Sequence, residues 1–145
     1  MRNGKRVDLD DYVIRMKANH PNVEVYVGCD SQNYTEHTVY VSTVVFRFPK
    51  QGAQVIYLKE KVGRITDMWT RLWAETERSI SLALHLQRTC NVRVKQIDMD
   101  YNADPAFPSN KLISPAMGYA ESYGFTAKTK PDLLMATWAA NVLCH

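Results

Sequence analysis

No run in this chain approaches the roughly 20 apolar residues that a bilayer crossing needs, and the opening MRNGKR lacks the apolar segment of a signal peptide. Cysteine is scarce. Cys29, Cys90 and Cys144 are odd in number and far apart, so neither a disulfide scaffold nor a zinc motif is suggested. A reducing, cytoplasmic setting is the corresponding expectation. Phosphate-cradling glycine loops are missing too, since Gly28 and Gly63 belong to none, and His20, His37 and His85 have no metal-ligand spacing. Ser31 and His37 make no nucleophilic triad, because no strand-turn-helix elbow presents the serine. No repeat, linker or low-complexity tract divides the chain.

What remains is the composition of an ordinary globule, 46% hydrophobic and 23% charged over 145 residues. That length is enough for one domain, residues 1–145, with a sizeable core. The formal net charge of +3 permits an anionic partner without requiring one. Basic residues gather at Lys59, Lys61 and Arg64, at Arg88, Arg93 and Lys95, and at Lys128 and Lys130. These groups are either solvated faces or parts of a phosphate-facing surface.

The fragment VYVGCDSQ, residues 25–32, carries the strongest signal. Val25, Val27 and Cys29 alternate with Tyr26 and Gly28, which predicts a buried strand over 23–29 that stops at the carboxylate of Asp30. An amphipathic helix over 8–19 precedes it, with Leu9, Tyr12, Val13 and Met16 on one side and His20-Pro21 as its stop. Residues 37–48 and 54–59, rich in Val, Thr, Ile and Tyr, predict two more strands in antiparallel hairpins. From Asp67 to Arg88 the period becomes helical, with Trp69, Leu72, Trp73, Ile80, Ala83 and Leu84 on an apolar arc that predicts core packing for both tryptophans. A fourth strand over 92–98, a helix over 111–122, a strand over 125–129 and a last helix from 132 complete the order. The pattern predicts an α/β fold with a mixed five-stranded sheet flanked by helices, and a right-handed crossover brings strand four beside strand one.

Asp30 and Asp98 then close neighbouring strands at one rim. Two carboxylates held there repel unless a cation lies between them, and hard oxygen donors favour Mg2+ or Mn2+. In the long helix, Glu75 falls within the apolar sector beside Leu72, Leu82 and Leu86, whereas Glu77 sits at its edge. An inward carboxylate needs a partner or a metal, so Glu75 is the better ligand candidate; the alternative is a surface pair with Arg71 or Arg78. Asp100 shares the strand parity of Asp98 and either assists the metal or caps a turn. Asp132 reads as an N-cap that could instead face the site. Asn141 and His145 share a face of the last helix as further accessory candidates, and Tyr34 is placed to stack on a base or sugar.

Together VYVGCDSQ, RLWAETERSI, QIDMDYN and the terminal GF-x-x-K-x-KPD with WAAN resemble the bacterial YkuK family of the ribonuclease H-like superfamily, over residues 8–141. The resemblance implies strand order 3-2-1-4-5 with strand two antiparallel to its neighbours. It also implies acidic metal ligands at Asp30, Glu75 and Asp98, with Asn141 where a fourth acid stands in relatives. Phosphodiester hydrolysis of RNA, DNA or hybrid by a two-metal mechanism is the implied activity, with Lys59, Lys61, Lys128 or Lys130 holding phosphates. Two other classes stay open: a relative that binds nucleic acid without cleaving it, for which Asn141 is the pointer, and a phosphohydrolase of small substrates.

Overall fold

A computed structural model describes residues 6–49, 52–102, 106 and 108–130. Its elements are α1 (Leu9–Asn19), β1 (Glu24–Asn33), β2 (His37–Phe48), β3 (Gly52–Gly63), α2 (Met68–Thr89), β4 (Gln96–Asn102), α3 (Asn110–Ser122) and β5 (Ala127–Lys130). The predicted helix from 132, and with it Asp132, Asn141 and His145, lies outside the described residues.

The five strands form one mixed sheet in the order β3-β2-β1-β4-β5. β2 runs antiparallel to both β1 and β3, while β1, β4 and β5 are mutually parallel. This is the predicted fold. The differences lie in where the strands stop. β1 does not end at Asp30 but continues to Asn33, because its ladder with β2 runs unbroken from Glu24–Arg47 to Asn33–Thr38. Loss of apolar alternation ends the greasy part of a strand, whereas backbone pairing ends the strand itself. β4 begins at Gln96 rather than at residue 92; Val92 and Val94 are buried, but in an irregular lead-in whose Lys95 N–H bonds Val25 O at 2.8 Å.

Period-two alternation sorts the sheet into two faces. Val23 just before β1, Val25 and Val27 of β1, Val44 and Phe46 of β2, Ile56 of β3 and Ile97, Met99 and Tyr101 of β4 share a core with Val13 of α1, Ile80, Ala83 and Leu86 of α2, and Ala116 and Ala120 of α3. Among the described residues, all three helices therefore pack on that one face. The other face carries Tyr26 with Val45, and Val41 with its neighbours Val39 and Tyr57.

α2 begins at Asp67, whose carboxylate accepts from the Thr70 N–H at 3.1 Å and satisfies a donor the first turn leaves open. Its buried residues, Glu75, Thr76, Ser79, Ile80, Ala83 and Leu86, form one stripe at helical spacing. Trp73 lies against the core and stacks on Tyr119, with ring centroids 5.7 Å apart, but Trp69 is 36% exposed and does not join it. The helix stops at Cys90, its C-cap, followed by Asn91 in the left-handed region at φ 53°. Burying Ile80 and Leu86 contributes about 1.5–3 kcal/mol each, and Glu75 lies in the same stripe.

Candidate metal centre at the fork of two strands

β1 and β4 are hydrogen-bonded neighbours only over a short stretch, Tyr26–Gln96, Val27–Ile97 and Gly28–Asp98. Both strands go on, to Asn33 and Asn102, without further pairing to each other. The sheet thus forks just past Gly28 and Asp98, and the carboxylates stand at the fork. Asp98 is on the last paired rung, Asp30 follows two residues beyond Gly28 on the other prong, and Asp100 follows Asp98 on its own. The acids are not at a common strand rim, as the sequence suggests. They sit within strands whose ladder has opened.

Register puts Asp30 and Asp98 on the face away from α2, since Val27 and Ile97, one residue before the Gly28–Asp98 pair, both face the helices. Gln96, with the same parity as Asp98, donates to Asp98 Oδ1 at 2.5 Å. Glu75 arrives from the helix side. Ser31, whose parity points it at α2, donates its hydroxyl to Glu75 Oε2 and accepts from Arg71 Nη1 at 2.8 Å. Arg78 is engaged elsewhere: it grips Glu60 Oε2 of β3 through Nε at 2.9 Å and Nη2 at 2.6 Å, and lies over the Tyr40 ring at 3.9 Å. The surface pair foreseen as an alternative for Glu75 is therefore not formed; Glu75 is 4% exposed, and Arg71 reaches it through Ser31.

Asp30, Glu75 and Asp98 are all buried, at 8%, 4% and 1% exposure. Burial pushes the Glu75 carboxyl well above its usual range, and the charge of Asp30 pushes it further, with a smaller push from Asp100. The Ser31 hydroxyl and the Arg71 guanidinium act in the opposite direction without cancelling this. The push from Asp30 acts across the sheet, since Asp30 and Glu75 approach it from opposite faces. Glu75, Asp98 and Asp100 also line one narrow gap there, together with Cys29 and Tyr101. The four acids offer oxygen donors only, which suit a hard divalent cation, and Glu75 is repelled by Asp30 and Asp100 without one; their oxygens do not form a group of three within 4.8 Å, so a cation would have to draw them together. Cys29 is buried beside them, and burial raises its thiol pKa, so it is a core residue and no softer ligand.

Comparison with known proteins bears on this arrangement. The family described as Ribonuclease H-like matches residues 8–144. The chain belongs to that family. Curated proteins give no match. Among solved structures, the prototype foamy virus protease-reverse transcriptase is similar over 86% of this chain and 20% of its own, at 13% identity and a TM-score of 0.46. The chain thus spans about a fifth of that protein's length.

The basic residues foreseen for a ribonuclease H-like surface do not form one patch. Lys59 and Lys61 are exposed on β3 and Lys128 on β5, the two opposite edges of the sheet; Lys130 ends β5. Lys59, Lys61 and Lys128 do share a face with Asp30 and Asp98. Lys59 pairs with Val41, which pairs with Asp30, so one row runs from the lysine to the carboxylate across two strand spacings, roughly 10 Å. Lys128 pairs directly with Asp98. Tyr34 is 40% exposed but one ring face is taken: it stacks on His37, centroids 5.0 Å apart, across the β1–β2 turn.

The fold also gathers residues that sequence spacing does not connect. Asp10, His85 and Cys90 bring a carboxylate oxygen, an imidazole nitrogen and a sulfur within 4.8 Å of one another, a set able to hold a metal ion. His85 and Cys90 are five apart across a helix end, and Asp10 lies 75 residues upstream of His85, so no local motif marks them.

Proposed function

We propose that the chain is a divalent-metal-dependent nuclease that hydrolyses phosphodiester bonds of RNA, DNA or a hybrid, and that within its superfamily it belongs with the YkuK group. The observation that carries this reading is the fork: Asp30, Glu75 and Asp98 are all buried beside the point where two parallel strands part, and the charge of Asp30 disfavours an ionised Glu75, which a cation would relieve.

Asp30, Glu75 and Asp98 would hold Mg2+ or Mn2+, with Asp100 as an accessory donor. When bound, such ions acidify the attacking water and neutralise the leaving oxygen of an in-line displacement. The chain's own groups prepare for this. Ser31 fixes the Glu75 carboxylate, Arg71 fixes Ser31, and Gln96 fixes Asp98, so the ligands are held before substrate arrives. Lys59, Lys61 and Lys128, on the face shared with Asp30 and Asp98, would take the phosphates on either side by charge, without reading bases.

The test is cleavage of labelled RNA, DNA and hybrid by the purified chain. Cleavage of at least one substrate with Mn2+ or Mg2+, abolished by EDTA, is expected. Salt-sensitive binding of all three without turnover would instead identify a binding-only relative, and turnover confined to nucleotides or other small phosphates would identify a phosphohydrolase.

A further inference from the structure

We propose that Asp10, His85 and Cys90 form a zinc site that clamps α1 to the end of α2, separate from the carboxylates at the fork. Asp10 Oδ1 lies 2.6 Å from His85 Nε2 and 3.6 Å from Cys90 Sγ. Zinc bound at about 2.0–2.2 Å to oxygen and nitrogen and 2.3 Å to sulfur sets tetrahedral edges of about 3.4 Å for O–N and 3.6 Å for O–S. The Asp–Cys edge already has that length. The Asp–His edge must open by less than about 1 Å, within the reach of side-chain rotation on half-exposed groups.

The donor types set the metal. One thiolate, one imidazole and one carboxylate make a mixed set that suits zinc, whereas Mg2+ and Mn2+ prefer oxygen alone. Position agrees with charge. Cys90 is the C-cap of α2, where the helix presents its unpaired carbonyls and negative end, and Asp8, Asp10 and Asp11 crowd the start of α1 opposite it. Access is open, because the His85 and Asp10 side chains are 43% and 38% exposed while the thiol sits behind them. On binding, the Cys90 thiol releases its proton to solvent and the sulfur takes the metal. Three protein ligands leave a fourth position to water. His85 lies ten residues beyond Glu75 on the same helix, about 15 Å along its axis, so the two sites do not share ligands.

Co2+ and Zn2+ titrations of the full chain test this. One Co2+ per chain is expected to give a thiolate-to-cobalt charge-transfer band with tetrahedral d–d absorption, displaced by Zn2+. Cys90→Ser abolishes the band, His85→Ala weakens Zn2+ binding by more than about tenfold, and Asp30→Asn leaves both unchanged, which separates this site from the proposed nuclease centre. Zn2+ also slows alkylation of Cys90, read by peptide mass, at least about tenfold in the wild-type chain; this reading stands even if a variant fails to fold. Absence of the band, its persistence in the Cys90→Ser variant, or unprotected alkylation of Cys90 at saturating Zn2+ overturns the proposal.

Discussion

Asp30→Asn is expected to lower Mn2+-dependent cleavage by at least ~10²-fold while leaving the fold intact. Changes beside a metal ligand commonly cost 10- to 100-fold, and loss of a ligand's charge at the fork is the more direct injury. The substitution keeps shape and hydrogen-bonding capacity, and the β1–β2 ladder through residue 30 is made by backbone. Because the charge of Asp30 is the second cause of the raised Glu75 pKa, removing it also relieves repulsion on Glu75. The variant should therefore melt no lower than wild type in EDTA while being inactive in Mn2+. Initial rates at saturating Mn2+ with parallel thermal melts check this. A rate within about twofold of wild type would remove Asp30 from the chemistry.

The second large effect is on stability and has the opposite sign from that of most buried polar substitutions. In metal-free protein the Glu75 carboxyl titrates above its usual value of 4.5, driven first by burial and then by Asp30. The folded state thus binds a proton that the unfolded state has released. The stability this contributes is fully present below the unfolded value and is lost as pH rises through the folded one, with a slope approaching ~1.4 kcal/mol per pH unit inside that window. Glu75→Gln keeps an acceptor for Ser31 and removes the charge. It should raise the melting temperature in EDTA at neutral pH and flatten the fall in stability that wild type shows on going from mildly acidic to neutral pH. Added Mn2+ should then stabilise wild type more than E75Q, since ligand binding to the folded state adds stability in proportion to affinity. Urea melts across pH, with and without Mn2+, measure both effects. A pH profile identical for wild type and E75Q would show that Glu75 stays ionised in the folded protein.

Much of this is legible in the residues. Alternation in VYVGC and the helical stripe of α2 identify the central strand and its covering helix, because burial leaves a periodic trace in sequence. Glu75 stands out for the same reason, as a carboxylate inside an apolar stripe. The strand ends are less legible. Asp30 and Asp98 read as terminators, yet both strands continue, since where a ladder stops depends on the partner strand's backbone. The fork itself is a property of two strands 70 residues apart and leaves no local pattern. The split of the lysines between β3 and β5 follows from strand order, and the Ser31 link from Arg71 to Glu75 from parity one residue past the acid. Asp10, His85 and Cys90 escape for a related reason: their spacing is set by two helix ends meeting, and no single segment contains it.

The most direct measurement is a crystal of the chain soaked in Mn2+, with the ions located by anomalous scattering. At least one Mn2+ at the β1–β4 fork, coordinated by Asp30 and Asp98 with Glu75 completing the set, is the predicted result. A fork whose carboxylates bind no Mn2+ at millimolar concentration, with Glu75 still hydrogen-bonded to Ser31 and uncoordinated, would contradict it.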